Sequence, residues 1–352
     1  MIRQLNAQNF TILPDDEWRF SPALNVIIGE NGVGKTHLLK LLYTLVKVHA
    51  NATELNKSTL ERAYAQKLLN VFRPEHLGRL VKRKQGRERC EVALLMERET
   101  WNSRIAFATN AKSQVNVLEA PNEPLSVTPV YFPPRELMTL YPWFLPIYNN
   151  FETEFEETWY DTTFLLGTPP LKGARKQQAA ALLRLLEEAM RGRVDSDRKT
   201  GRLYLHVSGE GRMEMPLVAE GVNKIAQLAR LLANGTLLEQ GYLFWDEPEA
   251  NLNPRLMKVV ARSIVELAAS GVQVFVATHS LFLLREFEIV LGSEKYAHIP
   301  CRWMALAKDA HQVVLEQSDR VDEIETIVAL EEEMAQSERF VSFLESQEEA
   351  TR

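Results

Sequence analysis

The sequence predicts an α/β fold, because three apolar strands each run straight into a chemically loaded turn. Leu24-Asn25-Val26-Ile27-Ile28 leads into Gly29-Glu30-Asn31-Gly32-Val33-Gly34-Lys35-Thr36. Gly241-Tyr242-Leu243-Phe244-Trp245 leads into Asp246-Glu247-Pro248, and Val272-Gln273-Val274-Phe275-Val276-Ala277 into Thr278-His279-Ser280. Amphipathic stretches at 37–48 and 255–269 supply the helical crossovers that parallel strands need.

The first turn fits the phosphate-loop pattern Gly-x-x-x-x-Gly-Lys-[Ser/Thr]. Gly29, Asn31, Gly32 and Gly34 belong to a backbone that curls so that its N–H groups face phosphate oxygens. Lys35 then reaches the β and γ phosphates, and Thr36 places a hydroxyl on Mg²⁺. The helix that follows turns its positive end toward the same anion. The cofactors expected from these residues are ATP and Mg²⁺.

The second turn sets two acids behind an apolar run, an unfavourable arrangement unless something binds them. Asp246 is expected to hold the metal, and Glu247 to polarise the attacking water as general base. In the third turn His279 stands at a buried strand's tip, where its imidazole donates to a γ-phosphate oxygen if the three strands are neighbours.

Together these elements resemble an ABC-type ATPase head of the soluble branch that includes the SMC, RecF and OLD proteins. The resemblance rests on the phosphate loop, the strand ending in Asp-Glu-Pro, the Ala250-Asn251-Leu252-Asn253 loop and the Thr-His-Ser turn, and it spans 1 to about 290. Residues 2–20 also resemble that family's first hairpin. It implies Asp246 as Walker B carboxylate, Glu247 as base, 250–253 as D-loop and His279 as switch histidine. It further implies a homodimer with two ATP molecules sandwiched between two heads, each completed by the partner's signature loop. The best match to that loop is Val218-Ala219-Glu220-Gly221-Val222-Asn223-Lys224, where Gly221 would present its amide to nucleotide and Lys224 a supplementary cation. Ala219 stands in the register of the family's serine and Asn253 in that of its D-loop aspartate, so slow hydrolysis is expected. Where the family carries a glutamine, Val130-Tyr131-Phe132-Pro133-Pro134 ends in Arg135, which either reaches the γ-phosphate or forms a surface ion pair.

With 352 residues, 45% hydrophobic and 25% charged, the chain has the composition of a globular protein with a sizeable core. A net charge of −6 argues against a surface that coats nucleic acid throughout. No apolar run approaches the roughly 18 residues of a membrane span, so a cytoplasmic protein is expected. Cys90 and Cys301 lack ligand-spaced companions and are read as buried thiols.

Four regions are expected: a β-rich nucleotide-binding lobe at 1–135, a helical insertion at 136–217, a second nucleotide-binding lobe at 218–300, and a hairpin with an acidic helix at 301–352. In the first lobe a helix is predicted over 53–72, followed by short strands at 90–96 and 103–108. Residues 131–164 hold eleven of the chain's thirty aromatics, mixed with Glu152, Glu154, Glu156, Glu157 and Asp161, either as the core of the insertion or as a docking face for another protein. The run 79–89 carries six cations against one acid, either as a solvated loop or as a phosphate-contacting patch; Lys172, Arg175 and Lys176 form a thinner one. In the tail, Ile327, Leu330, Met334, Val341 and Leu344 form a stripe on a helix expected to pack on the head.

The resemblance leaves this chain without the family's long coiled-coil arms and without an attached nuclease. The expected function is therefore a nucleotide-controlled switch acting on a separately encoded effector, a nuclease or toxin, in anti-phage defence. The alternative is a RecF-like DNA-binding ATPase in repair, with the basic run as its DNA contact.

Overall fold

A computed structural model describes residues 1–351 except 84, 85, 198, 239, 240 and 311, and leaves the side chains of 174–176, 178 and 348–351 undescribed. The chain opens with β1 (Ile2–Gln8), β2 (Glu17–Arg19) and β3 (Leu24–Gly29), then α1 (Lys35–Asn51) and α2 (Lys57–Phe72). β4 (Arg89–Met96), β5 (Ser103–Ala108), β6 (Asn116–Glu119) and β7 (Val130–Phe132) follow. The insertion holds α3 (Phe144–Asn150), α4 (Glu157–Leu166) and α5 (Ala174–Met190), then β8 (Gly192–Ser196), β9 (Leu203–Val207) and β10 (Gly211–Glu214). The second half runs through α6 (Glu220–Ala233), β11 (Tyr242–Asp246), α7 (Pro254–Ala269), β12 (Gln273–Thr278), α8 (Leu281–Leu291), β13 (Cys301–Asp309), β14 (Gln312–Ser318) and α9 (Val328–Thr351).

The site is positioned by a six-stranded sheet of order β14-β13-β3-β12-β11-β7, in which only β14 is antiparallel. Both faces are covered, which explains why these strands are apolar throughout instead of alternating with polar residues. Val26, Leu243, Trp245, Val274 and Val276 face one core together with α6, α7 and α8. Ile27, Tyr242, Phe244, Phe275 and Ala277 face the other, against α1, α2 and a second sheet of order β2-β1-β4-β5-β6. Because β3, β12 and β11 are parallel neighbours, with Ile28 beside Thr278 and Asp246 beside Ala277, their three turns emerge along one edge.

Several expectations are corrected. The helix predicted from 53 begins at Lys57, where Asn56 caps it by accepting from the Thr59 N–H at 2.9 Å. The insertion is not purely helical, since β8, β9 and β10 form an antiparallel sheet of their own. The tail hairpin is no separate appendage: β13 pairs with β3 and extends the central sheet. The apolar stripe of α9 is not packed on the head. Ile327 is buried just before the helix, but Met334, Val341 and Leu344 are exposed, as are Phe340 and Phe343.

The aromatic stretch divides between its two readings. Tyr131, Phe132 and Phe144 are core, whereas Trp143, Phe151, Phe155 and Phe164 are exposed. In the basic run Arg79 pairs with Glu75 at 2.8 Å and Lys82 with Asp15 at 3.8 Å, while Arg83, Arg87 and Arg89 are exposed. Lys84 lies outside the described residues, as do the side chains of Arg175 and Lys176; Lys172 is exposed. Among the described residues no helix is long and apolar enough to cross a membrane.

Candidate nucleotide site

The loop after β3 has the backbone its sequence demands. Gly32 and Gly34 have φ of 80° and 99°, in the left-handed region that favours glycine. A Cβ on Gly34 would also stand 2.9 Å from side-chain carbons of Ile12 and Leu13, so the loop between β1 and β2 roofs the start of α1. Lys35, only 6% exposed, folds back and donates to the carbonyls of Gly29 at 2.7 Å and Glu30 at 2.8 Å. Burial lowers its pKa, and the carboxylates of Glu247, Asp246, Glu249 and Glu30 act in the opposite direction.

Thr36 donates its hydroxyl to Asp246 Oδ2 at 2.7 Å, and the buried Tyr131 hydroxyl donates to the same oxygen at 3.3 Å. Asp246 is 1% exposed, and burial raises its pKa from an ordinary 3.8 to about 6. Among the described residues its other oxygen, Oδ1, is buried without a partner. A buried acceptor with spare lone pairs beside a threonine hydroxyl is a hard-oxygen donor set that suits Mg²⁺.

Glu247 follows with φ of +46°, a conformation unfavourable for a residue with a Cβ. Its N–H donates to Ala277 O at 2.9 Å, which ties the turn after β11 to β12. His279 Nδ1 stands 3.7 Å from Glu247 Oε1 and 3.4 Å from Glu249 Oε1. Glu249 Oε1 accepts from the Thr278 hydroxyl at 2.6 Å and from the His279 N–H at 3.0 Å, so this carboxylate fixes the turn that carries the imidazole.

A cavity of about 360 Å³ is lined by Ile12, Asn31, Gly32, Gly34, Lys35, Thr36, His37 and Glu247. Beside it, sharing Asn31, a smaller cavity of about 190 Å³ lies between Gly29, Glu30, His279 and residues 326–329 and 332 of the tail. The structure thus brings together Gly29, Asn31, Gly32, Gly34, Lys35, Thr36, Asp246, Glu247 and His279. It leaves two expected residues outside. Gly221 is buried in the first turn of α6, where a Cβ would stand 2.7 Å from Asn251 O of its own chain. Arg135 is exposed beyond β7, lines neither cavity and, among the described residues, forms no ion pair.

One role is corrected, and Asn253 gains a structural role. Lys224 is turned inward and 2% exposed, donating to the carbonyls of Glu247 and Ala250 at 3.0 Å each, so it is not available as a surface cation. Asn253 is the N-cap of α7, its side chain accepting from the Leu256 N–H at 3.1 Å. Sequence reasoning missed Tyr131, Ile12, His37 and Glu249. Only Glu249 left a signal, as a third acid within four residues of a strand end.

Residues 135–285 match the family described as "AAA domain, putative AbiEii toxin, Type IV TA system". Over 79 residues the chain is 29% identical to DNA replication and repair protein RecF from strains of Streptococcus thermophilus, a match covering 22% of this chain and 22% of each relative. Among solved structures, an Smc head bound to the C-terminal winged-helix domain of ScpA is 13% identical with a TM-score of 0.56, covering 92% of this chain and 99% of that one. A second Smc head, with an extended coiled coil and bound to the C-terminal domain of ScpA derived from Pyrococcus furiosus, is 13% identical with a TM-score of 0.51, covering 96% and 99%. On this architecture and these likenesses, the chain has the fold of an SMC/RecF-like ABC-type ATPase head.

Proposed function

We propose that the protein binds Mg-ATP, hydrolyses it slowly and dimerises around it, and that its nucleotide state switches a separately encoded effector. The single observation that carries the ATPase reading is the meeting of Thr36, Asp246 and Glu247 beside Lys35 at one sheet edge. Lys35 would leave the two loop carbonyls for the β and γ phosphates, and the amides of Gly32 and Gly34 would cradle the same oxygens. Thr36 and Asp246 would hold Mg²⁺, which when bound screens the phosphate charge. Glu247 would take the proton of the attacking water, and His279 would hold a γ-phosphate oxygen. Gly221 and Arg135 stand outside this cluster, where contact with a nucleotide on a second copy would be their route to the site.

The effector we propose is a nuclease or toxin in anti-phage defence; the family description, which names a putative toxin and a Type IV TA system, supports a setting that involves a toxin. The exposed Trp143, Phe151, Phe155 and Phe164 offer it a surface. Steady-state turnover with Glu247→Gln tests the base: a fall of roughly 10² to 10⁴ with ATP binding retained is expected. Light scattering of that variant with ATP should report a dimer, and a monomer would reject the sandwich.

A second reading, DNA binding in repair, is favoured by the likeness to RecF and by the exposed Arg83, Arg87 and Arg89. Duplex binding that depends on ATP and weakens steeply with salt would support it.

A further inference from the structure

The helix α6 and the turn after β11 are locked together within one chain. Gly221 lets the first turn of α6 approach the carbonyl of Asn251 more closely than any side chain would allow. One turn further on, the buried Lys224 donates to Glu247 O and Ala250 O, both at 3.0 Å. Glu247 O also accepts from the Ala250 N–H at 3.1 Å, so the carbonyl of the base-bearing residue is held from two sides. That residue sits in the left-handed region at φ +46°, which a glutamate adopts only where its surroundings hold it. An ammonium bridging two carbonyls of one turn does this: if the Glu247 peptide relaxed to an ordinary conformation, the carbonyl would swing away from Lys224 and a buried charge would lose a partner.

We infer that Lys224 is the positioning residue that holds Glu247 in its left-handed conformation and so aims its carboxylate, coupling the start of α6 to the base-bearing turn. This rests on the reading of the chain as an ATPase with Glu247 as base. Lys224 touches no substrate; it acts through the backbone of the residue that does.

The test compares wild type, Lys224→Met, Lys224→Arg and the double variant Lys224→Met/Glu247→Gln. Met keeps the buried stem and removes the donors, so kcat should fall by roughly 10- to 100-fold while the Kd for ATP stays within about twofold, since the phosphate loop is untouched. Arg restores donors and should recover most of kcat. On the Glu247→Gln background, Lys224→Met should lower turnover no further. Unchanged kcat in Lys224→Met, a loss confined to ATP affinity, or a full additional loss in the double variant would each overturn the inference.

Amide exchange of Ala250 and Leu252 without nucleotide is read in parallel. It should rise by about tenfold in Lys224→Met, and unchanged protection would overturn the positioning role whatever the activity. A wild-type protein that does not hydrolyse ATP would instead reject the ATPase reading, leaving the exchange measurement to decide on Lys224. Should Lys224→Met not fold, Lys224→Gln takes its place with the same readings.

Discussion

Thr36 and Asp246, 210 positions apart in the chain, share a hydrogen bond of 2.7 Å. It joins the phosphate loop to the acidic strand end, and among the described residues nothing pairs with the second, buried oxygen of Asp246 beside it. Thr36→Ala removes one oxygen donor, and the Mg²⁺-dependent gain in ATP affinity should fall by about tenfold or more, whereas Thr36→Ser should retain it. Nucleotide titrations with and without Mg²⁺ check this, and equal affinity of both variants would contradict it.

Asp246→Asn should stabilise the nucleotide-free protein at neutral pH. Burial raises the folded pKa from 3.8 to about 6, so the carboxylate's ionisation opposes folding, and stability falls as pH rises through that window. At about 1.4 kcal/mol per pKa unit the effect is up to about 3 kcal/mol. Urea unfolding at pH 7 should therefore give a higher midpoint for Asp246→Asn, while its response to Mg-ATP is lost.

His37 predicts an acid limb of opposite sign. Burial, with Lys40 nearby, lowers its pKa from 6.5 to about 4. Between these values the unfolded chain binds the proton and the folded chain does not. Stability is full above about pH 6.5 and declines by up to about 3 kcal/mol as pH falls to 4. Urea unfolding of His37→Gln from pH 4 to 7 should show a shallower slope than wild type, and an identical slope would rule the imidazole out as its source.

Gly221→Ala tests the junction between α6 and the turn after β11. The new methyl would lie 2.7 Å from Asn251 O, which is backbone and cannot step aside cheaply. A loss of about 1 to 3 kcal/mol is expected, and a melting temperature equal to wild type would show that the two elements separate freely.

Much of the site was legible because its signals are local. A glycine-rich loop, two acids behind an apolar run and a strand-terminal histidine each announce themselves within ten residues. What escaped depends on distant partners. Tyr131 joins Asp246 only because β7 pairs with β11. Lys224 follows a glycine at a helix start and looks like a surface cation until α6 is laid against the turn after β11. The tail hairpin carries no mark of the strand it will pair with, and β13 becomes a sheet member only through β3. In α9 the periodicity correctly indicates a helix, but a stripe spaced for burial does not say what covers it: Met334, Val341 and Leu344 stay exposed, while Arg285 of the head pairs with Glu333.

The central claim is that the phosphate loop, the acid pair and His279 serve one triphosphate, and a crystal structure of Glu247→Gln with Mg-ATP tests it most directly. The account predicts the γ-phosphate within hydrogen-bonding reach of both Lys35 and His279, with the metal on Thr36 and Asp246. A nucleotide bound elsewhere, or a γ-phosphate turned away from residues 247 and 279, would contradict it.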